Sequence, residues 1–295
     1  MQDTPYVGRF APSPTGPLHA GSLVAAMASY LDARAHHGQW LVRIEDVDEG
    51  RSAAGAAESF LTLLPRLGMQ WDGEVVWQSR RTGHYQGAAD SIAAHTYPCG
   101  CNRREIADSR LGTGPDGAAI YPGTCRHGLA PGRTMRSLRV RVPEAGADTI
   151  AFTDRFAGPV AQQLARDAGD FVLKRGDGFW AYQLAVVVDD AEQGVTDVVR
   201  GADLLDSTPR QIYLQRLLGV RTPRYLHVPV IRNVQGEKLS KQTGALAIDF
   251  ADDAEALQLL VQAASFLRLG VGVPATLRAF WDRAVPAWHA LLAGR

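Results

Sequence analysis

Two short motifs at opposite ends of the chain carry residue types suited to phosphate chemistry. His19, Gly21 and Ser22 follow a proline-rich loop and precede apolar residues at helical spacing, which predicts strand, tight loop and helix here. Unpaired N–H groups at such a helix start bind phosphate, and the histidine can donate to a bridging oxygen. Lys238 and Lys241 flank a serine and could neutralise a departing pyrophosphate. Each motif alone also fits an ordinary capped turn or a solvated basic loop.

Taken together, these motifs resemble a known family. The stretches Pro12–Ser22 and Lys238–Gln242 resemble the HIGH and KMSKS signatures of class I aminoacyl-tRNA synthetases, and residues 9–16 have the form found in the glutamyl branch. Further stretches carry the resemblance to about residue 245, namely Val42–Asp48, Phe179–Asp190 and Val199–Leu204. The resemblance implies an α/β fold with a Rossmann-like doubly wound parallel sheet, an inserted zinc-containing α+β domain and a short C-terminal helical region.

The resemblance also implies roles for individual side chains. Arg9 and Arg200 would pair with the carboxylates of L-glutamate, in an order that the sequence leaves open, and Glu45 would hold its α-ammonium. Leu204 replaces a polar residue common in full-length glutamyl enzymes, which predicts the loss of one polar contact. The predicted catalytic residues are His19, Ser22, Lys238 and Lys241. The predicted ATP contacts, with Mg²⁺ accompanying ATP, are Pro12, His19, Gly21 and Lys241. The predicted glutamate contacts are Arg9, Ala11, Ser13, Glu45, Tyr182 and Arg200.

All three cysteines fall in one region, at Cys99, Cys101 and Cys125. A Cys-x-Cys pair with a third cysteine nearby is typical of a structural zinc site in a protein without a disulfide framework. His127 is a candidate for the fourth ligand by its chemistry. The resemblance favours Tyr121, because short glutamyl-like synthetases use a phenolic oxygen there, and this bond would be the weakest of the four. The alternative is three unligated thiols.

The chain divides into four predicted regions. These are a first catalytic half over 1–95, an inserted zinc domain over 96–178, a second catalytic half over 179–244 and a helical, stem-contacting region over 245–295. Apolar runs assign 151–172 to strands of the insertion, and apolar periodicity predicts helices over 52–70, 82–95, 252–269 and 274–293, the first capped by Ser52. Phosphate contact is favoured over a solvated surface for the arginines concentrated in the insertion, which are Arg103, Arg104, Arg126, Arg133, Arg136, Arg139 and Arg141.

Composition limits the class of protein. With 46% apolar and 21% charged residues among 295, the chain is typical of a globular protein. Its net charge of +0 means that a tRNA partner would need a local basic face. Because the chain contains no apolar run long enough for a bilayer and opens with no secretory signal, we expect a cytoplasmic protein, and we expect a monomer.

The stretch after Lys241 is too short for an anticodon-binding domain, a pattern similar to the glutamyl-queuosine tRNA(Asp) synthetases. That resemblance implies tRNA-independent activation of L-glutamate with ATP to glutamyl-adenylate, then transfer of glutamate to queuosine in the anticodon loop of tRNA(Asp). Three alternatives are open: charging of a tRNA 3′ end by a truncated glutamyl-tRNA synthetase, adenylation of a small acid without tRNA, and RNA binding without catalysis. The set of Arg9, Tyr182 and Arg200 weighs against the second, and His19 with Lys241 against the third.

Overall fold

Strands and helices alternate through most of the computed structural model, which describes residues 5–232 and 246–294. The strands are β1 Val7–Phe10, β2 Gln39–Ile44, β3 Val76–Trp77, β4 Thr96–Cys99, β5 Ser137–Val140, β6 Thr149–Asp154, β7 Gly158–Gln163, β8 Phe171–Lys174, β9 Asp197–Gly201 and β10 Arg224–Val228. The helices are α1 Ala20–Ala35, α2 Ala56–Arg66, α3 Thr82–Ser91, α4 Arg103–Ser109, α5 Leu164–Asp167, α6 Tyr182–Glu192, α7 Thr208–Leu218, α8 Asp253–Phe266 and α9 Leu277–Ala293.

Two adjoining sheets, parallel except for the β6–β7 pair, have the strand orders β3-β2-β1 and β9-β10-β6-β7. β1 pairs in parallel with β2, and β10 pairs in parallel with both β9 and β6. The N–H of Thr196, just before β9, donates to the carbonyl of Val7 in β1 at 2.9 Å, which places β1 beside β9. Strand order therefore switches between β1 and β9, where an open α/β sheet has its ligand crevice. The predicted α/β fold with a parallel sheet is confirmed.

The helix α1 connects β1 to β2 and anchors the first half of the fold. Leu23, Met27 and Leu31 are buried at a spacing of four residues, so one face of the helix packs into the core. The side chain of His19 caps the helix by accepting the N–H of Ser22. This cap holds the first turn of α1, with its unpaired N–H groups, at the carboxyl end of β1.

The hairpin of β6 and β7 lies at the edge of the second sheet. The two strands pair antiparallel, and Asp154 at the end of β6 stands opposite Tyr225 of β10. The prediction that residues 151–172 are strands of the insertion is therefore wrong for this hairpin, whereas β8 does join the insertion. Short apolar runs indicate strands but do not show which sheet a strand joins.

The insertion contains a three-stranded antiparallel sheet in the order β4-β5-β8. The hydroxyl of Tyr213 on α7 donates to the carbonyl of Arg141 at 2.7 Å, just after β5. On the same helix, Arg210 forms an ion pair with Asp116 of the insertion. These two contacts fix the insertion against the catalytic sheet through α7.

The helices α8 and α9 pack against the first half of the chain. Trp281 Nε1 donates to the carbonyl of Leu67 at 3.0 Å, and Trp288 Nε1 donates to the carboxylate of Asp32 on α1 at 2.9 Å. The four helices predicted from periodicity are present with shorter bounds. The predicted cap at Ser52 is wrong, because α2 begins at Ala56 after Gly55, whose φ of 73° favours glycine. No helix in the described ranges combines the length and the apolar character needed to cross a membrane.

Candidate active site

A cavity of about 670 Å³ opens at the carboxyl ends of β1, β2, β9 and β10. Its lining includes each predicted catalytic, ATP-binding and glutamate-binding residue that the structure describes, namely Arg9, Ala11, Pro12, Ser13, His19, Gly21, Ser22, Glu45, Tyr182 and Arg200. Lys238 and Lys241 lie outside the described residues. The cavity brings the other ten side chains together, while their individual roles stay predictions.

His19 stands at the wall of the cavity in a defined orientation. Its Nδ1 accepts the N–H of Ser22 at 3.2 Å, and its Nε2 lies 3.1 Å from the hydroxyl of the same serine. Because Nδ1 accepts, a neutral His19 carries its proton on Nε2. That N–H lies within hydrogen-bond distance of the Ser22 hydroxyl, so the His19 ring and Ser22 stand together beside the first turn of α1, where a phosphate oxygen would be stabilised.

The chain also returns to this cavity after the segment that holds the two lysines. Val230 lines the cavity before that segment, and after it Ala247 pairs with His19. The N–H of Ile248 donates to the carbonyl of Leu18 at 2.8 Å. The described residues on both sides of 233–245 therefore lie close to the His19 motif.

Arg9 is buried and held in place by a carboxylate that the sequence analysis did not single out. Its Nε donates to Asp190 Oδ1 at 3.0 Å and its Nη2 donates to Asp190 Oδ2 at 3.4 Å. Arg43 Nη2 donates to the same Oδ1 at 2.7 Å. Burial alone would raise the pKa of Asp190, but Arg9 and Arg43 outweigh it and lower the pKa. Asp190 is therefore ionised and orients Arg9; its signal in the sequence was an acidic pair closing an apolar run.

Glu45 presents a buried carboxyl group to the cavity. Its side chain is 7% exposed, and its Oε1 lies 3.5 Å from Arg43 Nη2. Among the described atoms this oxygen has no hydrogen-bond partner. Burial raises the pKa of Glu45 to about 7, although Arg43 and Arg9 favour the ionised form. A carboxyl group that lines a cavity and is not saturated with hydrogen bonds is suited to a cationic group of a ligand.

Arg200 lies across the cavity within a network of polar side chains. Its Nη1 donates to the hydroxyl of Tyr182 at 3.2 Å, and its Nη2 donates to Thr208 Oγ1 at 2.8 Å. Its Nε donates to His227 Nε2 at 3.0 Å. His227 does not line the cavity and lies behind Arg200. The sequence contained no signal that Thr208 and His227 meet the same arginine.

The three cysteines converge in the insertion, with all three sulfur atoms within 4.8 Å of one another. Cys101 Sγ and Cys125 Sγ are 3.6 Å apart, and Tyr121 Oη lies 3.4 Å from the sulfurs of Cys99 and Cys101. Two thiolates on one tetrahedral zinc ion, each at about 2.3 Å, are separated by about 3.8 Å. The sulfur positions therefore suit a metal ion, and Tyr121 adjoins them while His127 is exposed.

The arginines of the insertion separate into two groups. Arg139 is buried with its guanidinium 3.9 Å from the centre of the Tyr121 ring, and Arg141 donates to the carbonyl of Thr96. Arg133 pairs with Glu105 at 2.7 Å. Exposed side chains remain at Arg103, Arg104 and Arg136. Some of the arginines predicted to contact phosphate, namely Arg133, Arg139 and Arg141, therefore make contacts within the insertion.

Comparison with known proteins defines the class to which this fold and cavity belong. A family model described as the catalytic domain of class I tRNA synthetases (E and Q) matches residues 6–284. The glutamate tRNA ligase of Elizabethkingia meningosepticum, solved in complex with its amino acid, superposes with a TM-score of 0.75 at 25% identity. The match covers 95% of this chain and 64% of that ligase, so the chain spans about two thirds of the solved protein.

Two curated relatives narrow the class further. The Glutamyl-Q tRNA(Asp) synthetase of Janthinobacterium sp. (strain Marseille) is 63% identical over 285 residues, 96% of this chain and 96% of the relative. The protein of the same name from Verminephrobacter eiseniae (strain EF01-2) is 62% identical over 291 residues, covering 98% and 99%. The chain therefore belongs to the glutamyl-Q tRNA(Asp) synthetase family, a family of ligases within class I.

Proposed function

We propose that this protein activates L-glutamate with ATP, without needing tRNA, and transfers the glutamate to queuosine in the anticodon loop of tRNA(Asp). One observation carries the activation step: Arg9, Arg200 and Glu45 line a single cavity at the N-terminus of α1. The assignment of queuosine as the acceptor of glutamate is based on the names of the relatives.

The charges in the cavity complement glutamate. Arg9 and Arg200 supply two guanidinium groups, each backed by polar partners, for the two carboxylates of the amino acid. Glu45 supplies the acceptor for the α-ammonium: its carboxyl group lines the cavity, and its Oε1 has an ion-pair contact with Arg43 but no hydrogen-bond partner within the described part of the chain. Tyr182 adds a hydroxyl beside Arg200. A neutral or cationic amino acid would leave at least one of these two guanidinium groups without a ligand carboxylate, which favours glutamate.

In the activation step, an oxygen of the α-carboxylate attacks the α-phosphorus of ATP, and the bond to pyrophosphate breaks as the new P–O bond forms. His19 Nε2 and the first turn of α1 hold phosphate oxygens as negative charge develops. Lys238 and Lys241 neutralise the departing pyrophosphate, and Mg²⁺ accompanies ATP as part of the substrate. Catalysis is by positioning and charge stabilisation.

In the transfer step, a hydroxyl of queuosine attacks the carbonyl carbon of glutamyl-adenylate and AMP leaves. The exposed arginines of the insertion, Arg103, Arg104 and Arg136, are suited to the RNA backbone. The region over 245–295 contributes a further tRNA-contacting surface in this proposal, and the protein acts as a cytoplasmic monomer. The insertion over 96–178 belongs to the same proposal, apart from the β6–β7 hairpin, which joins the catalytic sheet.

The insertion holds one structural zinc ion in this proposal, with Cys99, Cys101, Cys125 and Tyr121 as ligands. The sulfur separations and the position of Tyr121 Oη support this set over one with His127. Zinc supplies folding energy to the loops between α4 and β5, which contain few regular elements.

ATP–pyrophosphate exchange tests the activation step. The wild-type protein is expected to exchange label with L-glutamate in the absence of tRNA. Arg200→Ala is expected to lower kcat/KM for glutamate about a hundredfold, because a charged hydrogen bond to a carboxylate is worth about 3 kcal/mol. Arg216→Ala, an exposed position on α7, is the matched control and is expected to behave as wild type. The proposal would be contradicted if ATP–pyrophosphate exchange required tRNA, or if Arg200→Ala left kcat/KM for glutamate at its wild-type value.

A further inference from the structure

We propose that Asp154 and His227 form a relay that positions Arg200 for its substrate carboxylate. Both side chains are buried, at 2% and 1% exposure, and neither lines the cavity. They would therefore act on the reaction only through Arg200. This inference rests on the proposed function, in which Arg200 binds glutamate.

The hydrogen bonds fix the protonation pattern of His227. Arg200 Nε lies 3.0 Å from His227 Nε2, and His227 Nδ1 lies 2.7 Å from Asp154 Oδ2. A guanidinium nitrogen can only donate, so Nε2 of the imidazole must be the acceptor. The ring proton then resides on Nδ1 and is donated to Asp154. The neutral tautomer with its proton on Nδ1 satisfies both Arg200 and Asp154. The tautomer with its proton on Nε2 would place that N–H against the N–H of Arg200 Nε.

Asp154 is held so that only one of its oxygens is available to the histidine. Its Oδ1 accepts the backbone N–H groups of Phe156 and Ala157 at 2.9 and 2.7 Å, in the turn between β6 and β7. Its Oδ2 is left to accept from His227. The β6–β7 hairpin thus supplies an aspartate whose second oxygen selects the tautomer of a histidine on β10.

Burial favours the neutral form of His227. It is the largest influence on the pKa of the ring and lowers it; the hydrogen bond and charge of Asp154 raise the pKa, Arg200 and Arg9 lower it, and the net direction is downward. The ring of Tyr225 stacks against the imidazole at 6.1 Å between centroids. Thr208 Oγ1 lies 3.2 Å from Nε2 and accepts from Arg200 Nη2. Arg200 is therefore held at Nε by His227 and at Nη2 by Thr208.

The variant Asp154→Asn tests the relay, because it is expected to invert the tautomer. The asparagine oxygen would stay with the two backbone N–H donors, so its NH₂ group would face His227 Nδ1. Nδ1 would then accept, the ring proton would move to Nε2, and Nε2–H would oppose Arg200 Nε–H. We expect the KM for glutamate in exchange to rise about tenfold, with the KM for ATP within twofold of wild type.

A spectroscopic measurement separates positioning from a general structural effect. In protein labelled with ¹⁵N-histidine, the His227 signals, assigned among the eight histidines by their loss in His227→Gln, should report Nδ1–H in wild type and Nε2–H in Asp154→Asn. Asp148→Asn is the matched control: Asp148 is buried and accepts the N–H groups of Gly146 and Ala165. It should change neither the tautomer nor the KM for glutamate.

The histidine itself gives a second test that does not depend on folding of the Asp154 variant. His227→Gln can present a carbonyl oxygen to Arg200 and should keep the KM for glutamate within about threefold of wild type, whereas His227→Leu should raise it at least tenfold. An Nδ1–H signal in Asp154→Asn, or equal KM values for Gln and Leu, would overturn the relay. Failure of wild-type exchange with glutamate would instead refute the proposed function, and the tautomer would still be measurable.

Discussion

Glu45→Gln is expected to make the protein more stable and less active at the same time. Burial raises the pKa of Glu45 to about 7 from an ordinary value of 4.5. Because the folded-state pKa lies above the unfolded value, the stability that the carboxyl group contributes is complete below pH 4.5 and is lost as the pH rises through 7. Above pH 7 the fold must accommodate an ionised carboxylate with an unpartnered oxygen.

The magnitude follows from the two pKa values. Each pH unit between them is worth about 1.4 kcal/mol, so removing the charge should raise the free energy of unfolding by about 3 kcal/mol at pH 8. At pH 5 the gain should be less than about 1 kcal/mol, because most of the folded protein already holds the neutral acid. In thermal unfolding, the pH 8 difference corresponds to an increase in Tm of about 5 °C.

Activity should change in the opposite direction. A glutamine side chain provides no negative charge for the α-ammonium, so we expect the KM for glutamate to rise about a hundredfold. The assays are thermal unfolding at pH 5 and pH 8 and ATP–pyrophosphate exchange, with Glu58→Gln, an exposed position on α2, as the control. The reasoning is refuted if the Tm gain is equal at both pH values, or if the KM for glutamate stays at its wild-type value.

Two further substitutions test the surroundings of the site. Asp190→Asn should raise the KM for glutamate about tenfold in exchange, because Arg9 and Arg43 lose the anion that orients them; an unchanged KM would show that Arg9 needs no such support. Cys101→Ser should reduce bound zinc, measured by elemental analysis of the purified protein, to less than about half of wild type, while His127→Ala retains it. Equal zinc in both variants would be evidence against the proposed ligand set.

The cavity-lining residues could be predicted from the sequence because they lie within short sequence motifs. His19, Gly21 and Ser22 stand together at the start of α1, Arg9 lies near the end of β1, and Glu45 follows the end of the neighbouring parallel strand β2. The carboxyl ends of such strands meet at one edge of a sheet, so local patterns were enough to place these residues at one site.

The buried partners of these residues could not be predicted in the same way. Asp190 and His227 contact arginines that lie 181 and 27 residues away in the sequence, and Thr208 lies 8 residues after Arg200; these pairings depend on the packing of helices and strands. The β6–β7 hairpin is a similar case, because its short apolar runs indicated strands but did not show which sheet the strands join. Asp154 thus reaches the back of the site from a segment assigned to the insertion.

Acylation of tRNA(Asp) with and without queuosine tests the central claim most directly. With labelled glutamate and ATP, the protein is expected to charge only queuosine-containing tRNA(Asp). Nuclease mapping should place the label in the anticodon loop. Label at the 3′ end, or equal charging of tRNA lacking queuosine, would contradict the proposal and support a truncated glutamyl-tRNA synthetase.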